Sequence, residues 1–206
     1  MDETKPKTLV YLVDDDFSVR DSLSMLIEST GQDVRCFESA DDFLNNFDPD
    51  QAGCLILDVR MPNMTGLELQ EQLVRRDFAI PIIFISGHAD VPDSSKAFRA
   101  GAIDYMEKPF DSEVLLKRMQ EAIQKDLDTR VYQAEKRKLK KRLSLLTPRE
   151  NEVLVLIVKG LSNKEAAKQL DVSNRTVDVH RAKIMEKMEA QDLAELTVMA
   201  MHCELI

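Results

Sequence analysis

The fold class this sequence predicts is α/β: a five-stranded parallel (βα)5 domain, a helical linker, and an all-α domain of four helices containing a helix-turn-helix. Three observations predict it. Short apolar runs alternate with helical spacing through the first part. A charged stretch then runs without Gly or Pro up to Pro148, and beyond it only short, capped helical patterns occur. The implied boundaries are residues 1–124 for the α/β domain, 125–143 for the linker and 144–206 for the helical domain.

In the first domain, Leu9–Val13, Val34–Phe37, Cys54–Leu57, Ile82–Ile85 and Ile103–Met106 read as short buried strands. Val19, Leu23, Leu26 and Ile27 follow helical spacing between them, as do Leu67, Leu73 and Val74. Strands alternating with helices of this length imply a parallel sheet covered on both faces. The fourth helix, Asp93–Ala100, carries Ser94 and Ser95 where a sheet-facing helix is usually aliphatic. Either it is loosely held or Ala97 and Phe98 supply its contacts. A fifth helix begins near Ser112, with Val114, Leu115, Met119, Ala122 and Ile123 in helical register, and nothing obliges it to stop.

Leu127, Val131, Ala134, Leu139 and Leu143 make a thin apolar stripe along the linker, which fits a solvated spacer and a dimerising helix equally. The linker ends in a basic run, Lys136, Arg137, Lys138, Lys140, Lys141 and Arg142. Beyond it, Thr147, Pro148 and Glu150 form a capping-box start, Val153, Leu154, Leu156, Ile157 and Val158 supply a buried face, and Gly160 stops the helix. Ser162 caps a second helix, Asn163–Leu170. DVSN turns into a third, Arg175–Met188, and Asp192–Met201 closes the bundle. A helix, a tight turn and a longer helix place the second member in a DNA major groove.

Hydrophobic residues make up 44% of the 206, yet no apolar run approaches the roughly 20 residues that span a bilayer. The N-terminal MDETKPK lacks the features of a signal peptide, and Cys36, Cys54 and Cys203 are odd in number and lack paired spacing. The expectation is a cytoplasmic protein with free thiols and no membrane association. Residues 1–124 hold 12 Lys and Arg against 24 Asp and Glu, a net of −12, whereas residues 125–206 hold 16 against 13, a net of +3. Such asymmetry predicts different partners for the two parts.

Four predicted strands deliver polar groups to one sheet edge: Asp14 and Asp15, Asp58, Ser86 and Lys108. Ligands of open α/β sheets bind at the carboxyl ends of the strands. Three carboxylates converging there repel unless a cation neutralises them, and oxygen donors suit Mg²⁺. Asp16, next to a helix start, reads as a first-turn acid outside this site. His88 and His202 form no ligand pair.

The acid pair, CLILDVRMPNMTG, FISGHAD and EKPF, in that order, resemble the receiver domain of two-component response regulators over about Leu9 to Ile123. LTPRENEVLVLIVKGLSNKEAAKQLDVSNRTVDVHRAKIMEKM resembles the LuxR-type DNA-binding domain, so the whole chain resembles a FixJ/NarL-type regulator, nearer the FixJ branch. The resemblance implies that Asp58 accepts a phosphoryl group from a sensor histidine kinase. It implies Mg²⁺ held by Asp14, Asp15, Asp58 and the Arg60 carbonyl, a pairing role for Lys108, and a switch made by Ser86 and Tyr105. It also places Thr176, Val179, His180 and Lys183 toward the groove, Asn163 and Lys164 near phosphates, and Arg175 and Arg181 as backbone contacts. Asp178 and Ala182 depart from relatives that carry Lys. His180 fits a phosphate contact or a bond to a backbone carbonyl. The implied partners are the kinase, promoter DNA, RNA polymerase and a second copy upon phosphorylation, with transcription activated as the outcome. A Mg²⁺-dependent phosphohydrolase is the enzymatic alternative, but Arg60 stands where its water-activating acid would be. The other alternative is a module whose helical domain contacts protein or RNA.

Overall fold

The computed structural model describes residues 7–87 and 97–205. The chain divides into two compact units at Arg130. The first contains strands β1 (Leu9–Val13), β2 (Asp33–Phe37), β3 (Gly53–Asp58), β4 (Ile82–Ser86) and β5 (Asp104–Glu107). They form one parallel sheet in the order β2-β1-β3-β4-β5. Helices α1 (Phe17–Glu28), α2 (Ala40–Asn46) and α3 (Gly66–Arg75) fall between the strands. A long helix, α4 (Ser112–Leu143), contains the division point, which lies inside the stretch read as linker. Residues 97–99 are helical, while the rest of the expected Asp93–Ala100 helix, Ser94 and Ser95 included, lies outside the described residues.

Side chains of successive strand residues point to opposite sheet faces, and here both faces are buried. Val10, Leu12, Cys54, Ile56, Ile83 and Ile85 pack on one side with Leu23 and Ile27 of α1 and Leu115, Met119 and Ala122 of α4. Tyr11, Val13, Leu55, Leu57 and Phe84 pack on the other with Phe43 of α2 and Leu69 and Leu73 of α3. Ala97 joins that second cluster, whereas Phe98 is 48% exposed, so Ala97 alone of the pair contributes a buried contact. Val74, expected on the buried side of α3, is 61% exposed. The helix presents Gly66, Leu69, Gln70 and Leu73 inward, and Val74 falls one step past that stripe. Val114 is exposed for the same reason, at the edge of the face made by Leu115 and Met119.

In the second unit, α5 (Pro148–Val158), α6 (Asn163–Leu170), α7 (Asn174–Met188) and α8 (Leu193–His202) surround one core. Thr147 and Glu150 form a reciprocal capping box at the start of α5, and Ser162 and Glu165 form another at α6. Each satisfies two backbone N–H groups that a helix start leaves without partners. Val153, Leu154, Leu156, Ile157 and Val158 are all buried, as their spacing implies. The linker stripe is drawn in at both ends: Leu127 packs against the sheet-side cluster of the first unit, and Leu139 and Leu143 pack in the core of the second. Val131 remains 60% exposed. All three cysteines are free, and burial pushes the Cys54 thiol far above its ordinary range.

Candidate functional site

The strand order 2-1-3-4-5 places β1 beside β3, with connections leaving in opposite directions, which is where open α/β sheets bind ligands. Val13 pairs with Leu57, so the next residue of each strand path, Asp14 and Asp58, arrive abreast. Both are buried, at 1% and 6% exposure. The Lys108 ammonium donates to Asp14 Oδ2 and to Asp58 Oδ1, each at 2.7 Å. Lys108 is held in turn by its own backbone, whose N–H donates to the Ser86 carbonyl at 2.7 Å.

The rest of the local structure serves that convergence. The Arg60 N–H donates to Asp58 Oδ2 at 2.6 Å, and the Asp16 N–H donates to Asp14 Oδ1 at 2.9 Å, so both buried carboxylates have backbone partners as well as the ammonium. Gly66 opens α3 directly against the end of β3, the strand that carries Asp58. A Cβ there would stand 2.2 Å from the Asp58 carbonyl oxygen, so only glycine allows this approach. Thr65 caps α3 and completes a capping box with Glu68. Asp16 is the N-cap of α1, accepting from Ser18, one position before the first turn in which its sequence context put it.

Burial pushes the Asp58 carboxyl above its ordinary range, against the opposing pull of Lys108. Burial also works against the charge on Lys108, but its hydrogen bonds and attraction to Asp14 and Asp58 outweigh it and raise its pKa. The result is a buried carboxylate that is costly to hold ionised, with one shared cation opposing that cost. Asp15 is exposed at the rim, next to buried Asp14. Ser86 is buried at the end of β4, and Tyr105 on β5 lies beside Phe84, ring centroids 6.3 Å apart. Among the described residues, no three His, Cys, Asp or Glu side chains gather closely enough to form a metal cluster. Arg20 is a site residue the sequence reading missed: from α1 it donates to the Asp14 carbonyl at 2.7 Å. Its only signal was its place six residues beyond Asp14 on the first helix.

On the second unit, Arg175, Val179 and Lys183 are exposed on α7, and Lys164 is exposed on α6. Val179, at 48% exposure, is not part of the buried core. Thr176 is tied to the Ser173 cap, their hydroxyl oxygens 2.8 Å apart. His180 is half-buried, and its Nδ1 is enclosed with no hydrogen-bond partner among the described residues. Asn163, expected near phosphate, is engaged at both ends of its amide: it donates to Asp178 and accepts from Arg181.

A sheet-edge acid site on one unit and a helix-turn-helix on the other are the two parts expected of a DNA-binding response regulator, and comparison with known proteins agrees. Residues 10–120 match the response regulator receiver domain family, and residues 144–200 match the family of bacterial regulatory proteins of the luxR type. The response regulator protein TodT of Pseudomonas putida is 44% identical over 92% of this chain and 83% of its own length. The transcriptional regulatory protein FixJ of Bradyrhizobium diazoefficiens is 37% identical over 96% of each chain. Among solved structures, the response regulator StyR matches with a TM-score of 0.84 at 42% identity, covering 95% of this chain and 98% of that one. The chain belongs to the two-component response regulators that join a receiver domain to a LuxR-type DNA-binding domain. It is thus a transcription regulator rather than an enzyme of the usual kind, and its family implies a sensor kinase and promoter DNA as partners. Among the described residues no helix is long and apolar enough to cross a membrane.

Proposed function

We propose that this regulator is switched by transfer of a phosphoryl group from a phosphohistidine of its sensor kinase to Asp58, and that the modified form dimerises and activates transcription. The observation carrying this reading is the buried Asp58 carboxylate held beside Asp14 by Lys108. In the transfer, an Asp58 oxygen forms the new bond to phosphorus while the bond from phosphorus to the histidine nitrogen breaks. Such reactions depend on positioning and on neutralising charge rather than on elaborate covalent chemistry.

The donor set at the strand ends is all oxygen, three carboxylates and one backbone carbonyl, which suits Mg²⁺. Asp14, Asp15, Asp58 and the Arg60 carbonyl would hold it, and it would neutralise charge on the phosphoryl oxygens. Lys108, now shared by two carboxylates, is the group free to turn to the phosphoryl oxygens once the acids have another cation. Ser86 would donate its hydroxyl to one of those oxygens, and Tyr105, one strand over, would follow. In the second unit, Thr176, Val179, His180 and Lys183 would face the groove, with Lys164, Arg175 and Arg181 on the phosphates. Promoter DNA and RNA polymerase are the downstream partners, in the cytoplasm.

Labelling with acetyl phosphate tests the central assignment. Wild type should be labelled in a Mg²⁺-dependent manner, and Asp58→Asn should not be labelled at all. Undiminished labelling of the Asn variant would move the acceptor elsewhere. Acidification should also abolish labelling, because a protonated Asp58 carboxyl cannot attack phosphorus. Sedimentation before and after labelling tests dimerisation, and an unchanged monomer fraction would remove that part of the reading.

A further inference from the structure

Asp178 is an acid on the helix that meets DNA, where a carboxylate repels phosphate and would be expected to weaken binding. Its surroundings give it another role. Asp178 and Arg181 lie one helical turn apart on α7, and Asn163, the first residue of α6, stands between them. Asn163 Nδ2 donates to Asp178 Oδ1, and Arg181 Nη1 donates to Asn163 Oδ1 at 2.7 Å.

An amide is one rigid plane with a donor end and an acceptor end. If Asn163 were turned over, its NH₂ would face a guanidinium and its oxygen would face a carboxylate, so both contacts would be lost. Asp178 and Arg181 therefore fix the amide from both sides, the carboxylate taking its donor end and the guanidinium its acceptor end. Arg181 spends one N–H on that oxygen, and its five-donor fork leaves others for a phosphate. Without the acid, the Asn163 amide is held only by the guanidinium itself, and the guanidinium loses a partner that is anchored independently of it.

We infer that Asp178 is a positioning residue: acting through Asn163, it holds the Arg181 guanidinium in place as a phosphate-contacting cation. This deepens the DNA-contact reading of α7 and rests on it. Asn163 then serves as a bridge, with a direct phosphate contact secondary to that role.

The test uses the full-length protein and a random-sequence DNA duplex, with affinity measured between roughly 50 and 200 mM KCl. Each phosphate contact contributes about 0.9 to the slope of log affinity against log salt. Arg181→Ala and Asp178→Ala should each lower that slope by about 0.9, and the double variant should lose no more than either single one. Asp178→Asn retains an acceptor oxygen for Asn163 and should keep the wild-type slope. Tighter binding by Asp178→Ala with an undiminished slope would overturn the inference, since the acid would then be only a repulsive charge. A double variant that loses twice as much would overturn it as well. Wild type that shows no salt-dependent binding would defeat the DNA-contact reading itself, and this inference with it.

Discussion

Asp14 and Asp58, at 1% and 6% exposure, share a single ammonium, whereas Asp178 and Arg181 reach each other through an amide on the surface of α7 and α6. Both arrangements set acids against a base, but the surrounding medium makes them different devices. In the first unit water is largely excluded, so removing one partner leaves an uncompensated charge with a large penalty. On this face of the second unit solvent reaches the exposed Asp178 and the half-buried Arg181 and screens them, so each contact contributes little and function is spread over several residues. One site is thus expected to fail abruptly under substitution and the other gradually.

Lys108→Ala should give the largest effect. Removing the cation shared by two buried carboxylates is expected to destabilise the first unit by about 3 kcal/mol at neutral pH, measured by urea denaturation. The loss should shrink as the pH falls. Burial already pushes the Asp58 carboxyl up, and without the opposing lysine the folded variant would take up a proton that the unfolded chain does not, so acid would favour folding. In wild type, the raised pKa of Lys108 contributes stability below its ordinary value of 10.5, which is lost as pH rises beyond that. Added Mg²⁺ is expected to restore part of the variant's loss. A variant as stable as wild type at pH 7 would mean that the buried pair carries no such strain.

Ser86→Ala should act on the consequence of phosphorylation rather than on its occurrence. A methyl cannot donate to a phosphoryl oxygen, so the switched state would lose a charge-assisted hydrogen bond worth about 1.5–3 kcal/mol. Labelling should remain, while promoter activation at equal labelling should fall. Equal activation would exclude Ser86 as the sensor.

Glu150 tests whether the second unit has any buried charge of the first unit's kind. It is 3% exposed, accepts from Lys187 Nζ at 2.6 Å and from the Thr147 N–H at 2.8 Å, and Lys187 leads the causes that lower its pKa to about 2. A depressed carboxylate pKa stabilises the fold above the ordinary 4.5, and this contribution is lost as pH falls toward about 2. Glu150→Gln should therefore reduce stability by about 1.5 kcal/mol at pH 7, with the gap to wild type closing across that acid window. A gap that stays constant down to pH 2 would show that the charge is not what matters.

The smallest effect is expected from Lys183→Ala, on the exposed face of α7. Its loss should weaken DNA binding uniformly across sequences and lower the salt slope by about 0.9. A variant that instead changed sequence preference at one base would make Lys183 a base-reading residue and narrow the contrast between the two units.

Short-range signals were legible because they act over one turn. Thr147 with Glu150 and Ser162 with Glu165 form the capping boxes that their three-residue spacing implies, and the strand-end acids were visible as polar breaks in apolar runs. The sheet with five parallel strands followed from the alternation of elements. Helix faces were less legible where apolar residues lie side by side: Val74 follows Leu73 in sequence, and only packing shows that Leu73 is the buried one.

By itself, the sequence determined where the strands lie to within a residue or so, where the capped helices of the second unit begin and which polar groups stand at strand ends, since hydrophobic period and capping are local properties. Tertiary structure alone decided that Lys108 serves Asp14 and Asp58, which lie 94 and 50 residues away, because that sharing depends on β1 standing next to β3. It likewise decided that Gly66 admits α3 to the Asp58 carbonyl and that Asn163 joins Asp178 to Arg181. Direction and distance between side chains on different elements are set by how the elements pack, and no local pattern in the chain encodes them.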